Sequence, residues 1–413
     1  MYVKINRNGN LLFKNEKVNG FPYLNLYMVK MKKIGIITIV RVNNYGAELQ
    51  AYALQCKLNK MGYDAELIDY LYYIHPDYKK EKNAVPQYAK HYPLVKRVKG
   101  ILFPIVDTVK SYMNKAICEK RKARFVAFHE TNTCFSCRYD RLSALYNNPP
   151  KYDVYCVGSD QVWNPFSYTS LDPYFLTFAP KCAVKFSYAS SFGVSKLPAM
   201  STEYYKQKLQ NIKYISVREK TAVNIIKTVT GQEAVAVADP TLLLDEQEWS
   251  EVLNDSMVPQ EKYILLYVLK ESSYITEMAL NVAKEKGLKV VRICRGAYRQ
   301  DSKNSPILNI MDAGPAEFLA LFKKATMVMT NSFHGTVFSI LFNKDFYTIV
   351  SRNADNNSRQ IDLLSTLGID RIKYTDTQFT ENLPIEWDII NGRVEKYRRE
   401  SIDYLQKVIN DEK

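Results

Sequence analysis

The chain has 413 residues, 57 Lys+Arg against 43 Asp+Glu, with 46% hydrophobic and 24% charged positions. This length predicts two or three domains and a core that needs no disulfide staples. The composition excludes a fibrous or largely disordered chain, and no run approaches the ~18 apolar residues of a membrane-spanning helix.

The net charge of +14 is uneven: residues 1–30 carry +4 and residues 71–130 carry +8, while 131–413 carry only +1. A basic surplus points to an anionic partner. Here it concerns two segments, and neither bears a zinc-finger or RNA-recognition signature, so no nucleic-acid partner is expected. The seven cysteines (56, 118, 134, 137, 156, 182, 294) are scattered, and no secretory signal is visible. They read as free thiols of a reducing cytoplasm. Cys134 and Cys137 form one CxxC with only His129 close by, too few ligands for zinc, and no metal is expected.

Residues 1–30 lack an apolar signal core and a clear period. Either they form a loose arm or Met31, which opens Met31–Ile37, is the natural start. Ile34–Val40 is a continuous apolar run, as for a strand buried on both faces. Leu49, Ala53, Leu54, Leu58 and Met61 then recur at helical spacing, Gly62 stops the helix, and Ala65–Tyr70 is the next strand. Residues 71–130 break this pattern and read as a basic, tyrosine-rich insertion with one or two helices near 105–130, more a solvated excursion than a binding element. Strands follow at Tyr152–Val157, Val184–Ala189, Tyr214–Val217 and Ala234–Ala238, with a helix ending near Gly231. The acidic, polar stretch 245–260 reads as a linker.

The second half repeats the plan. Strands are expected at Tyr263–Leu269, Leu288–Ile293, Thr326–Thr330 and Phe346–Val350. Helices are expected over 273–286, 315–324, 336–343 and 358–367, with a long polar helix over 387–410. Alternating strands and helices predict parallel sheets covered by helices. The expected division is an extension 1–30, a first Rossmann-like domain 31–244 with the insertion 71–130, a second domain 260–385 and a terminal helix 386–413.

In such sheets ligands bind beyond the carboxyl ends of strands. Polar turns fall there at 43–46, 158–164, 190–193, 218–220 and 331–335. His334 is one of only four histidines and the one in a strand-to-helix turn, where free helix N–H groups favour anions and an imidazole can serve as acid or base. Arg218 follows a strand and can clamp phosphate or carboxylate, or pair with Glu219 at the surface. Asp160 can accept from a sugar hydroxyl or cap a turn, and Trp163 reads as core. No GxxxxGK[ST], GxGxxG after a strand, HExxH or GxSxG occurs, which counts against common nucleotide hydrolases, dehydrogenases, zinc peptidases and α/β hydrolases.

Asn44-Tyr45-Gly46-Ala47 with Leu49–Leu54, Gly158–Pro165, Ser187–Gly193, Ser216–Lys220, Asp239–Leu242 and Asn331–Gly335 together resemble, in order, the polysaccharide pyruvyl transferase family over roughly residues 31–370. The resemblance implies two Rossmann-like domains facing a cleft, similar to the B-type glycosyltransferase fold. It also implies transfer of a pyruvyl group from phosphoenolpyruvate to two sugar hydroxyls as a cyclic ketal, with no metal or cofactor beyond that co-substrate. Carried onto this chain, it gives Arg218 and His334 as catalytic residues. It places Asn44, Gly46, Gly158, Ser159, Asp160, Asn164, Ser190, Asn331 and Ser332 along the substrate cleft. Several family members carry Arg two positions before the motif histidine, where this chain has Ser332, and Arg352 or Arg359 stands as the replacement. The implied acceptor is a cell-surface glycan or its lipid-linked precursor, and the implied location is the cytoplasm, with peripheral contact to anionic membrane. A nucleotide-sugar glycosyltransferase of the same fold and a non-enzymatic basic module are the alternative readings.

Overall fold

The computed structural model describes residues 2–5, 11–14, 31–81, 85–86, 88–89, 115–167, 169–269, 272–294, 305–352 and 357–411. Strands β1 (Tyr2–Ile5) and β2 (Leu11–Lys14) pair antiparallel as a hairpin. The first parallel sheet uses β3 (Lys33–Ile37), β4 (Asp64–Leu67), β5 (Val154–Val157) and β6 (Val184–Ser187) in the order β4-β3-β5-β6. Helix α1 (Tyr45–Lys60) connects β3 to β4, and α2 (Lys115–Asn132) and α3 (Leu142–Asn147) precede β5. Helix α4 (Thr202–Leu209) leads to β7 (Ser216–Val217), which pairs parallel with β8 (Val235–Ala236) across α5 (Lys220–Thr230). Bridges Phe186↔Tyr214 and Ser190↔Val217 join this pair to β6. The apolar runs are buried as expected: β5 on both faces, and Ile34, Ile36 and Ile37 of β3.

The second sheet is six-stranded and parallel, in the order β11-β10-β9-β12-β13-β14. Its strands are β9 (Tyr263–Tyr267), β10 (Lys289–Ile293), β11 (Ile307–Ile310), β12 (Met327–Thr330), β13 (Asp345–Val350) and β14 (Ile372–Tyr374). Renumbered from its first strand this is 3-2-1-4-5-6, the Rossmann order. Helices α7 (Ser273–Lys286), α8 (Pro315–Lys324), α9 (Phe333–Leu341) and α10 (Ser358–Leu367) connect or follow its strands. β11 and β14 carry short half-exposed patterns, too weak a signal to be expected from sequence.

The stretch 245–260 is mostly exposed or half-buried with local structure of its own: Asp245 and Glu248 form a reciprocal capping box on α6 (Glu246–Ser250), and Trp249 is buried between Tyr52 and Phe338. The insertion is more than a solvated excursion. Phe125 and Phe128 of α2 enter the core that also holds Tyr45, Phe318 and Phe338. Arg124 reaches across to Asp312, 2.7 Å away, and to Glu317. Tyr45 of α1 stacks on Phe318 of α8 with ring centroids 4.4 Å apart and donates to the Ala313 carbonyl. The two halves thus share one aromatic core. Part of the expected helical region, residues 105–114, lies outside the described residues.

The terminal helix α11 (Trp387–Ile409) ties the halves a second time. Its Ile390 and Val394 pack with the second half, while Leu405, Val408 and Ile409 pack against Ile34, Leu54 and Phe186 of the first. Arg398 donates to the Leu242 carbonyl and Ser401 accepts from Ala238 N–H.

Candidate active site

Each sheet reverses direction at one point, and both points carry polar loops. In the first sheet this is the gap between β3 and β5, where Thr38 donates to the Ser159 carbonyl. In the second it is the gap between β9 and β12, where Asn331 Oδ1 accepts from Leu269 N–H at 2.8 Å. Ligands of doubly wound sheets gather at such points, and here the two meet through His334 and Gly46. A Cβ on Gly46 would lie 2.0 Å from His334 Nδ1, so the first turn of α1 packs directly on the imidazole ring.

Asp239 is the hub. Its Oδ1 accepts from Thr241 N–H and, at 2.6 Å, from Thr241 Oγ1. Its Oδ2 accepts from Ser159 Oγ at 3.0 Å and from Arg218 Nη1 at 2.9 Å, and lies 3.9 Å from His334 Nε2. Burial alone would raise this carboxyl. His334, Arg218 and the Thr241 bonds outweigh it and hold Asp239 below the usual carboxylate range.

Arg218 is buried, with its guanidinium carbon 4.5 Å from the Phe333 ring centroid. Asp160 lies 3.7 Å and Glu219 3.9 Å from its other nitrogens, too far for hydrogen bonds. Its Nε and Nη2 are buried with no hydrogen-bond partner among the described residues. Burial disfavours this charge, yet Asp239, Asp160 and Glu219 together push its affinity for the proton up. Glu219 is fully buried and accepts from Ser191 Oγ at 2.7 Å, while its Oε2 has no hydrogen-bond partner among the described residues. Burial raises its carboxyl above the ordinary range despite Arg218. Glu219 is therefore a buried member of the site and not half of a surface pair.

His334 lies in the first turn of α9 and not in a loop before a helix at 336, as expected: Ser332 caps the helix and accepts from Gly335 N–H. Its Nε2 is buried and has no hydrogen-bond partner among the described residues. Burial, with opposition from Asp239 and support from Arg218, lowers its pKa to about 4. Two helix N-termini, its own and that of α1, also disfavour a cation there.

Arg359 of α10 joins this group. It is nine-tenths buried, its Nε has no partner among the described residues, and its guanidinium carbon lies 5.9 Å from the same Phe333 ring. Burial and then Arg218 lower its pKa to about 10. Arg352 does not join: it pairs with Asp376 and lies over Tyr374 on the surface.

The other expected site residues divide. Asp160, at φ +70°, is partly exposed beside Arg218. Asn44 caps α1, accepting from Gly46 and Ala47 N–H. Gly158 lies over Thr38, and Ser190 donates to the Gly158 carbonyl. Asn331 and Ser332 organise the turn into α9. Asn164 bonds within its own turn, donating to Gln161 Oε1 and accepting from Phe166 N–H. Trp163 is core, its indole donating to the Tyr174 carbonyl. Asp239, Glu219 and Phe333 were missed as site residues. The signal for Asp239 was an acidic residue ending a strand, directly before Pro240.

Arg218, Asp239 and Phe333 also line a cavity together with Lys220, Asp362 and Tyr397. Among the described residues no group of His, Cys, Asp and Glu is arranged to hold a metal ion, and no helix is long and apolar enough to cross a membrane.

Two parallel Rossmann-type sheets whose reversal points meet at a buried Arg–Asp–His cluster define a two-domain α/β protein. The family model for polysaccharide pyruvyl transferase matches residues 44–353, and the chain belongs to that family and is a transferase. Among solved structures it is similar to the UDP-GlcNAc 2-epimerase of Methanocaldococcus jannaschii (12% identity, 88% of this chain and 92% of that one, TM-score 0.47). It is also similar to the glycotransferase of kitacinnamycin (11%, 91% and 96%, 0.45) and to the UDP-GlcNAc 2-epimerase of Neisseria meningitidis bound to UDP-GlcNAc (10%, 92% and 94%, 0.43). No curated protein matches.

Proposed function

We propose that the protein transfers the pyruvyl group of phosphoenolpyruvate onto two hydroxyls of a sugar in a cell-surface polysaccharide or its lipid-linked precursor, forming a cyclic ketal. The observation that carries this reading is the buried Arg218, two of whose N–H-bearing nitrogens lack hydrogen-bond partners among the described residues, beside a His334 Nε2 in the same state. Such a site suits a small donor carrying both phosphate and carboxylate. Arg218 holds the donor anion, His334 serves as general acid, and Asp160, the most exposed carboxylate of the group, receives the acceptor hydroxyl. One acceptor proton ends on the donor methylene, making a methyl group; the second leaves with the phosphate; the two oxygens bond to the former enol carbon. No metal or cofactor enters this scheme. The enzyme works in the cytoplasm, and the basic outward face of α2 (Lys115, Lys120, Lys122) suits contact with anionic headgroups at the inner membrane face.

Thermal stability measured against phosphoenolpyruvate concentration tests the reading. A ligand at 100 times its dissociation constant stabilises by about 2.7 kcal/mol, so wild type gains stability with donor and Arg218→Ala does not. Stabilisation by a nucleotide-sugar, with none by millimolar phosphoenolpyruvate, would overturn it in favour of a glycosyltransferase.

A further inference from the structure

The site holds two buried guanidinium groups against the same aromatic ring, Arg218 at 4.5 Å and Arg359 at 5.9 Å from Phe333. They come from different halves: Arg218 follows β7 of the first, Arg359 lies in α10 of the second. Each is nine-tenths buried or more and keeps at least one nitrogen without a hydrogen-bond partner among the described residues. A buried cation with unmade hydrogen bonds is costly. Arg218 offsets the cost through Asp239, but among the described residues Arg359 has no ion pair within 4 Å, and the charges acting on it are the like charge of Arg218 and the carboxylates of Glu219, Asp160 and Asp239. An oxyanion between the two guanidiniums would satisfy both.

His334 has the complementary deficiency. Among the described residues the charged groups acting on it are Asp239 at 3.9 Å, Arg218, Asp160 and Arg359, with the uncharged Gly46 of α1 against its Nδ1. Asp239, the one carboxylate within 4 Å, is already engaged by Ser159, Thr241 and Arg218. The ring thus faces two cations and two carboxylates beside two helix N-termini, and among the described residues no acceptor lies within hydrogen-bond distance of Nε2.

We propose that Arg359 is a second cationic ligand of this site, and that an oxyanion seated between Arg218 and Arg359 draws one proton onto His334 as it binds. The anion cancels the two positive charges that oppose the imidazolium and offers an acceptor to Nε2. The empty enzyme keeps its acid unloaded, and occupancy of the anion site loads it. This inference extends the pyruvyl-transfer reading by making donor binding the event that protonates the general acid.

The test is calorimetric titration of the full chain with sulfate, which does not itself titrate near neutrality, at pH 7 in buffers of low and high ionisation enthalpy. The expected result is sulfate binding with uptake of about one proton in wild type. His334→Asn still binds sulfate but takes up none. Arg359→Gln binds at least tenfold more weakly, and Arg359→Lys recovers part of the loss; circular dichroism confirms that each variant is folded. Absent sulfate binding, binding without uptake, equal uptake in His334→Asn, or wild-type affinity in Arg359→Gln each overturns the proposal. Phosphoenolpyruvate titrated in parallel separates the two readings: sulfate behaving as described while phosphoenolpyruvate fails to bind defeats the donor assignment and leaves the anion-linked proton in place.

Discussion

Lowering the pH on the ligand-free protein probes His334 directly. An unfolded-chain histidine takes its proton near pH 6.5, whereas burial holds His334 in the folded protein down to about 4. Between those values the unfolded state binds more protons, so stability rises with pH through this window. The contribution is fully present above about pH 6.5 and is lost as pH falls to 4. At about 1.4 kcal/mol for each tenfold change, the loss attributable to this one side chain is about 3 kcal/mol. Urea unfolding of wild type and His334→Asn at half-unit steps from pH 7.5 to 4 measures it, because titrations common to both proteins cancel in the difference. Wild type should lose about 3 kcal/mol more than the variant across the window, with most of the divergence below pH 6. If the two proteins lose stability in parallel, His334 is not held neutral, and the account of the site built on its burial fails.

Three further outcomes follow from the packing. Gly46→Ala places a methyl group 2.0 Å from His334 Nδ1 and should cost about 1–3 kcal/mol, as overpacking does; in a His334→Ala background, denaturant unfolding should find most of that cost gone. Asp239→Asn leaves Arg218 buried without its charge partner and should cost about 3–5 kcal/mol, part of which Arg218→Met in the same chain recovers; an unrecovered loss would mean Asp239 acts through Ser159 and Thr241 instead. Phe125→Ala should cost about 3–5 kcal/mol as a core truncation, while Arg124→Ala, whose side chain is one-third exposed, should cost under ~1 kcal/mol; the reverse ranking would make the polar contact, and not the aromatic core, the tie between insertion and second half.

The order of strands and helices was legible because it rests on local patterns. Buried strands such as Tyr263–Tyr267 and Val154–Val157 are nearly pure apolar runs, and Gly231, Gly287 and Gly368 end helices at left-handed φ, a role that favours glycine. Arg218 and His334 were legible for a related reason, since strand ends in an alternating chain are where sites form. What escaped is set by contacts between distant segments. Nothing local to Glu219 says that its neighbour Arg218 turns inward toward Asp239, 21 residues on. Nothing local to α2 says that Phe125 will meet Phe318 and Tyr45. The basic surface of that helix, read alone, argued for solvent, because its buried stripe is only Phe125, Phe128 and His129. Arg359 and Arg352 were equivalent in sequence, and only the direction of α10 separates the one over Phe333 from the one over Tyr374.

The charge balance of the site gives these residues a common logic. Two guanidiniums, of Arg218 and Arg359, stand among three carboxylates, of Asp160, Glu219 and Asp239, with a neutral imidazole beside them. The carboxylates are what make two buried cations tolerable, since an uncompensated buried charge is far more costly than a paired one. They also leave the empty site without the positive excess that an anionic donor needs. The chain's +14 does not correct this, because its surplus lies chiefly in residues 1–30 and 71–130, and charge of that kind speeds encounter more than it holds a bound ligand. The balance shifts locally only through protons. Glu219 is already raised toward protonation by burial, and His334 is poised to accept a proton once an anion offsets Arg218 and Arg359. On the proposal above, anion binding and proton binding in this buried site are one event.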